Sequence, residues 1–240
     1  QQMKIGRRLA IKVLNAAKFA LTMGGEGAAI DLDPALVTVP LDRSVLAALA
    51  SVIDEASAAL ASYEHSRALE VTESFFWTFC DDYLELVKER AYSGDAAGRG
   101  SAIAALRRAI DVQLRLLAPF LPFATEEVWS WWQEGSVHRA TWPEASELAL
   151  ADAGDPHVLA AVGTALSQMR KAKSDAKVGM RSEITSATLV APAATAERVR
   201  AGEADLRAAG RLTGSFDYAE GDEVALRDVE LIPFVKPPKN

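Results

Sequence analysis

One cysteine in 240 residues, Cys80, excludes an internal disulfide and any multi-cysteine metal site. Histidine is nearly as scarce: His65, His138 and His157 are scattered, so no metal-ligand spacing arises and no metal centre is expected. Long hydrophobic runs are missing too. The longest, at residues 74–80 and 114–124, fall well short of the roughly 20 residues that cross a bilayer. No signal-peptide pattern opens the sequence either, so a soluble cytoplasmic protein without membrane contact is expected. A phosphate loop, a nucleophile triad and a convergent acid–base pair are all wanting. Asp81-Asp82 and Glu126-Glu127 are neighbouring carboxylates, but adjacent residues on a helix do not point together. A freestanding enzyme is disfavoured on these grounds, and Cys80, inside the aromatic-rich run Phe75-Phe76-Trp77-Thr78-Phe79-Cys80, reads as a buried, inert thiol.

What is present is globular in composition. Half the residues are hydrophobic and a quarter charged, enough for one or two packed domains. The net charge of −7 argues against a generally basic nucleic-acid binder, yet its distribution is uneven. Residues 3–23 hold five cations (Lys4, Arg7, Arg8, Lys12, Lys18) and no acid. Residues 167–183 hold Arg170, Lys171, Lys173, Lys177 and Arg181 against Asp175 and Glu183, a local +3. These segments together carry +8 of a total of −7, so everything else sums to −15. Salt screens charges beyond about 8 Å, so such local patches decide where a polyanion docks.

Helical periodicity runs over residues 3–23 and stops at Gly24-Gly25, with Gly27 beyond. After Asp33-Pro34, a second helix is expected to about residue 62, capped by Asp42 or Ser44. A third, long one spans residues 66–92 with Val71, Phe75, Phe79 and Leu86 on its apolar face. Residues 93–100 read as a loop. Ser101 opens a fourth helix, interrupted by Pro119 and Pro122, and residues 125–133 form a fifth. Residues 135–154, with Trp142-Pro143, read as a linker packed along this bundle. Beyond it, Asp155-Pro156 opens a helix to about residue 172. Residues 184–190 are strand-like, 195–208 helical, and 212–218 and 224–234 strand-like around Gly221-Asp222. The expected fold is mainly α: a helical bundle over 3–134, the linker over 135–154, and a small α+β subdomain over 155–240.

At about 100° per residue, Lys4, Lys12, Asn15 and Phe19 lie within roughly 40° of Arg8 on the first helix. Ile5, Leu9, Val13, Leu14, Ala16, Ala17, Ala20 and Leu21 take the opposite side. Phe19 therefore stands on the polar face. A ring there offers a splayed base a stacking surface, cations meet phosphates, and Asn15 can address a base edge. An ordinary solvated face is the competing reading, weakened by the lack of any acid over residues 3–23. For the second patch, phosphate contact along an RNA stem competes with simple relief of a helix dipole. Trp131 and Trp132 are either packing for the linker or an exposed protein-interaction surface.

Three segments carry a family resemblance. Gly6-Arg7-Arg8-Leu9-Ala10-Ile11-Lys12-Val13-Leu14-Asn15-Ala16-Ala17-Lys18-Phe19 resembles the entry helix of the anticodon-binding domain in class I aminoacyl-tRNA synthetases for valine, isoleucine and leucine. Phe75-Phe76-Trp77-Thr78-Phe79-Cys80-Asp81-Asp82-Tyr83-Leu84-Glu85-Leu86-Val87-Lys88 looks specifically like the valine enzymes. Leu117-Ala118-Pro119-Phe120-Leu121-Pro122-Phe123-Ala124-Thr125-Glu126-Glu127-Val128-Trp129, with Trp142-Pro143, is similar to the family's last bundle helix and linker. The resemblance implies the class Ia anticodon-binding helical bundle, with the anticodon arm of tRNA(Val) as partner. It also implies Phe19 as the stacking residue, with Asn15, Arg8, Lys12 and Lys18 as neighbours. The isoleucyl and leucyl enzymes, and a helical protein-interaction module, are the alternatives.

Signatures of the family's ATP site, and any editing domain, are absent from the sequence. The chain is therefore expected to be a monomeric fragment that activates no amino acid and holds no cofactor. ATP and Mg would belong to the catalytic domain of the parent chain. The basic coiled-coil arm with which valine enzymes often end has no counterpart in residues 223–240, which finish in Lys236-Pro237-Pro238-Lys239-Asn240.

Overall fold

The structure, a computed structural model, describes residues 2–23, 32–150 and 153–234. The Gly24-Gly25 and Gly27 stop signal, the Ile5 side chain and the terminal Lys236-Pro237-Pro238-Lys239-Asn240 lie outside the described residues. The chain divides into two compact units: Gln1–Leu84 with Arg90–Pro156, and His157–Asn240, to which Glu85–Glu89 belongs.

In the first unit, α1 (Gln2–Thr22) buries Leu9, Val13, Ala16, Ala17 and Ala20, the side its periodicity marks as apolar. α2 (Pro40–Ala61) starts earlier than expected. Pro40 occupies the first turn, where its fixed φ and missing N–H cost nothing, and the preceding Val39 makes no side-chain cap. Neither Asp42 nor Ser44 caps the helix. Asp42 is fully buried and accepts from the Tyr83 hydroxyl (2.7 Å), both Arg90 Nη atoms (2.7 and 2.8 Å) and Ser101 Oγ (2.6 Å). Ser44 Oγ donates to the Pro156 carbonyl. By length and composition α2 would cross a membrane, but its Leu41, Val45, Leu46, Leu49 and Ile53 are buried in a helix packed against its neighbours α3 (His65–Thr78) and α5 (Ala96–Leu117).

The long third helix is α3 followed by a π-turn, Phe79–Tyr83, and α4 (Leu84–Ser93). Widening one turn to an i→i+5 bond, from Leu84 N–H to the Phe79 carbonyl, re-phases the helix, so that Phe79, Cys80 and Tyr83 are all buried. The loop expected at 93–100 is mostly helix. Asp95 caps α5 by accepting from Gly98 N–H (2.7 Å), so the helix begins at Ala96 in spite of its glycines. Ser101 is then free to bond Asp42 and to accept from the Thr38 and Val39 amides. Pro122 opens α6 (Pro122–Trp129) rather than interrupting a helix.

The linker lies on the bundle through two short 3₁₀ turns, Val137–Arg139 and Ala145–Leu148. Trp142 Nε1 donates to Ser57 Oγ of α2 at 2.9 Å, and Arg115 of α5 clasps Glu147 at 2.6 Å.

In the second unit, α7 (Val158–Asp175) precedes a sheet of order β2-β1-β3. β1 (Glu183–Ala191) runs parallel to β2 (Leu212–Glu220), with Ile184 opposite Leu212, and antiparallel to β3 (Ala225–Ile232). The crossover between β1 and β2 is two helices, α8 (Ala193–Ala201) and α9 (Glu203–Gly210), not one. They break at Gly202, where a Cβ would sit 2.7 Å from a Val162 methyl of α7.

Candidate nucleic-acid interface

α1 presents Lys4, Arg7, Arg8, Asn15 and Lys18 to solvent, opposite its buried side. The stripe is organised by aromatic rings that reach it from elsewhere in the bundle. The Arg8 guanidinium lies 4.8 Å from the centroid of Trp77 on α3, and Lys12 Nζ lies 5.8 Å from the same ring. Trp77 is held by its own indole N–H, which donates to Glu73 one turn back at 3.1 Å. A guanidinium stacked on an indole keeps its charge while losing conformational freedom.

Phe19 is half-buried, because Tyr92 near the end of α4 meets it edge to face, with centroids 6.0 Å apart and planes at 76°. Tyr92 is itself 59% exposed. The pair forms an open aromatic corner beside Lys18 and one turn from Asn15.

Lys12 differs from its neighbours. It is half-buried and pairs with Asp81 of the π-turn at 3.0 Å, with both side chains partly solvated. Such a pair contributes little to stability but shares the lysine's charge with a carboxylate. Trp77, Asp81 and Tyr92 have no role in the sequence-derived site. They meet α1 across about 70 residues of chain, and the only sequence signal was an aromatic off the apolar face of its helix.

In the second patch, Lys171, Lys177 and Arg181 are exposed and Arg170 is half-buried. Lys173 corrects the sequence reading. It is 2% exposed, and its ammonium donates to the Met180 carbonyl (3.1 Å) and the Gly210 carbonyl (2.8 Å). Two of its three N–H groups are engaged by these carbonyls, and its burial keeps the ammonium from reaching a phosphate. Burial first, then the charge of Arg211, lowers its proton affinity below that of an ordinary lysine.

Cys80 is buried, and desolvation pushes its thiol up to about 12. Trp131 donates to Glu127 at 3.0 Å and remains 43% exposed, while Trp132 is half-buried against Trp129, centroids 5.9 Å apart. No group of three or more His, Cys, Asp or Glu able to hold a metal occurs among the described residues.

The first unit is thus a helical bundle whose first helix bears a cationic face without acids, ending in an aromatic corner. Residues 42–189 match the family described as the anticodon-binding domain of tRNA ligase, and the chain belongs to that family. The match begins inside α2, so α1 lies outside it; alignments with whole proteins do cover α1. The chain is 56% identical over 238 residues to the valine–tRNA ligase of Thermobifida fusca (strain YX), which covers 98% of this chain and 26% of that protein. It is 52% identical to the valine–tRNA ligase of Leifsonia xyli subsp. xyli (96% and 26%) and 49% identical to that of Bifidobacterium longum (strain NCC 2705) (100% and 30%). The chain thus spans 26–30% of the length of these relatives and corresponds to the anticodon-binding domain of the valine–tRNA ligases.

Proposed function

We propose that the chain grips the anticodon arm of tRNA(Val), with an unstacked anticodon base lying against Phe19 in the corner formed with Tyr92. Arg8, Lys4 and Lys18 meet backbone phosphates, Asn15 addresses a base edge, and Lys12 contributes a charge shared with Asp81. The observation that carries this reading is the pairing of two part-exposed rings at the end of a helix face without acids. Base–aromatic stacking is worth about 1–3 kcal/mol. Phe19→Ala should therefore weaken binding of tRNA(Val) by that amount while the fold, read by circular dichroism, is kept. Undiminished affinity in that variant overturns the assignment of Phe19.

The parent's reaction, ATP-dependent attachment of valine to tRNA, belongs in this reading to catalytic and editing domains outside this chain, as do ATP and Mg. The domain works as part of a monomeric cytoplasmic ligase, apart from membranes. The isolated chain is expected to be blank in an ATP–pyrophosphate exchange assay, and activity there would show that it carries an active site of its own.

A further inference from the structure

We infer that the second unit carries its own RNA phosphate-docking surface, in which the buried Lys173 ties together the backbones that carry Arg181 and Arg211, and Lys177 stands at the end of the same helix as Lys173. It rests on the RNA-binding reading above but on residues remote in sequence from α1, and Arg211 was not among the cations that the sequence singled out.

Two observations bear on it independently. First, both helices that end in this region do so on a cation in the left-handed backbone region. α7 closes with the Lys177 amide on the Ser174 carbonyl (2.9 Å) and the Val178 amide on the Lys173 carbonyl (3.0 Å), leaving Lys177 at φ +56°. α9 closes on Arg211 at φ +52°. Glycine fills such positions at no steric cost, whereas a residue with a Cβ is strained there. A cation near a helix C-terminus recovers part of that cost through the helix dipole, but it does so equally well one turn earlier in unstrained backbone. Lys177 and Arg211 share this backbone with Asp228 of β3 and with Tyr63 of the first unit; what sets them apart is that each places a cation at a helix end of the same unit.

Second, the two ends are joined. The carbonyls that Lys173 binds belong to Met180 and Gly210, the residues immediately before Arg181 and Arg211. The Arg211 carbonyl also accepts from the Ile184 amide at 2.9 Å, where β1 and β2 come into register. Arg181 and Arg211 therefore leave the backbone from one locality, fixed through a single ammonium. Lys171, Lys177, Arg181 and Arg211 are exposed and make no ion pair among the described residues. Arg181 lies 5.8 Å from the Phe234 ring; the carboxylates nearby are Asp175 and Glu183 in sequence, with Glu85 and Glu89 lining the pockets beside Arg181 and Arg211, none of them in an ion pair with these cations. In a chain of net charge −7, exposed cations without carboxylate partners complement a phosphate backbone.

Glycine substitution separates strain from function. In the full chain, Lys177→Gly and Arg211→Gly should each raise the unfolding midpoint, by about 2–4 °C. At the same time each should weaken binding of full-length tRNA(Val), roughly fivefold at 0.15 M salt, and reduce the slope of log affinity against log salt by about 1. Arg181→Gln should weaken binding and reduce the slope alike without the stabilisation. Lys173→Met is the positioning test: it should lower the salt slope although Lys173 touches no phosphate, and if it unfolds the unit the glycine variants still decide. Glycine variants that bind with unchanged affinity and slope overturn the inference. If, in that case, an anticodon stem-loop still binds and remains sensitive to Phe19→Ala, the inference fails alone; a chain that binds no RNA takes both readings down. Transfer of the effect to an acidic protein, with tRNA binding untouched, would also contradict it.

Discussion

Replacing Asp42 with asparagine should strongly destabilise the bundle. The carboxylate is fully buried and accepts four hydrogen bonds of 2.6–2.8 Å, from α4, α5 and the π-turn. An asparagine keeps the shape but turns one oxygen into a donor that faces Arg90 together with either Tyr83 or Ser101, all donors to the native carboxylate. The Arg90 guanidinium, with its side chain 14% exposed, keeps its bond to the Gly98 carbonyl but loses its buried counter-charge. Breaking a buried pair by removing one charge costs about 3–5 kcal/mol. That is a large part of the roughly 5–15 kcal/mol that holds a domain folded. The chain has two units, so a single unfolding curve need not be two-state. Its five tryptophans (Trp77, Trp129, Trp131, Trp132, Trp142) all lie in the first unit, so indole fluorescence follows the bundle alone. At about 2–4 °C per kcal/mol, its midpoint should fall on the order of 10 °C. A fall equivalent to less than about 1 kcal/mol would refute the claim that this cluster ties α2, α4 and α5 together.

Other substitutions test separate points. Tyr92→Ala should weaken binding of a valine anticodon stem-loop by about 1 kcal/mol, the scale of an aromatic pair, and Tyr92→Phe should restore it; equal affinities in all three proteins would remove Tyr92 from the corner. Tyr63, 86% exposed at φ +60°, pays for a left-handed turn that glycine adopts freely. Tyr63→Gly should therefore stabilise the bundle by about 1 kcal/mol in urea unfolding. Cys80 should resist thiolate-selective labelling at pH 8 in the native chain and react once unfolded. Because its folded pKa stands near 12, above its unfolded value, its contribution to stability is complete below about pH 8.5 and is lost as pH rises towards 12. Rapid native labelling would contradict its burial.

Periodicity carried most of the helical fold, because the buried sides of α1 and α5 repeat every three or four residues. It failed where tertiary partners outweighed local preference. Gly98 and Gly100 suggested a loop, but Asp95 caps a helix through them. Asp42 looked like a helix cap because the sequence does not show Arg90 and Tyr83 converging on it. The candidate site was legible to the extent that it lies on one helix. Its aromatic half, Trp77 and Tyr92, comes from tertiary packing. Lys173 was misjudged although a signal existed: it stands four residues after Met169 and seven after Leu166, on the buried stripe of α7. A lysine on an apolar stripe warranted a search for the carbonyls that its ammonium binds.

We propose that this domain recognises the anticodon arm of valine tRNA through the stripe that ends at Phe19 and Tyr92. The most direct test is the affinity of the chain for anticodon stem-loops of valine, isoleucine and leucine tRNAs at a fixed salt concentration. Binding should be tightest to the valine stem-loop, and that preference should be lost in Phe19→Ala. Equal affinity for all three, or a preference that survives the substitution, would contradict it.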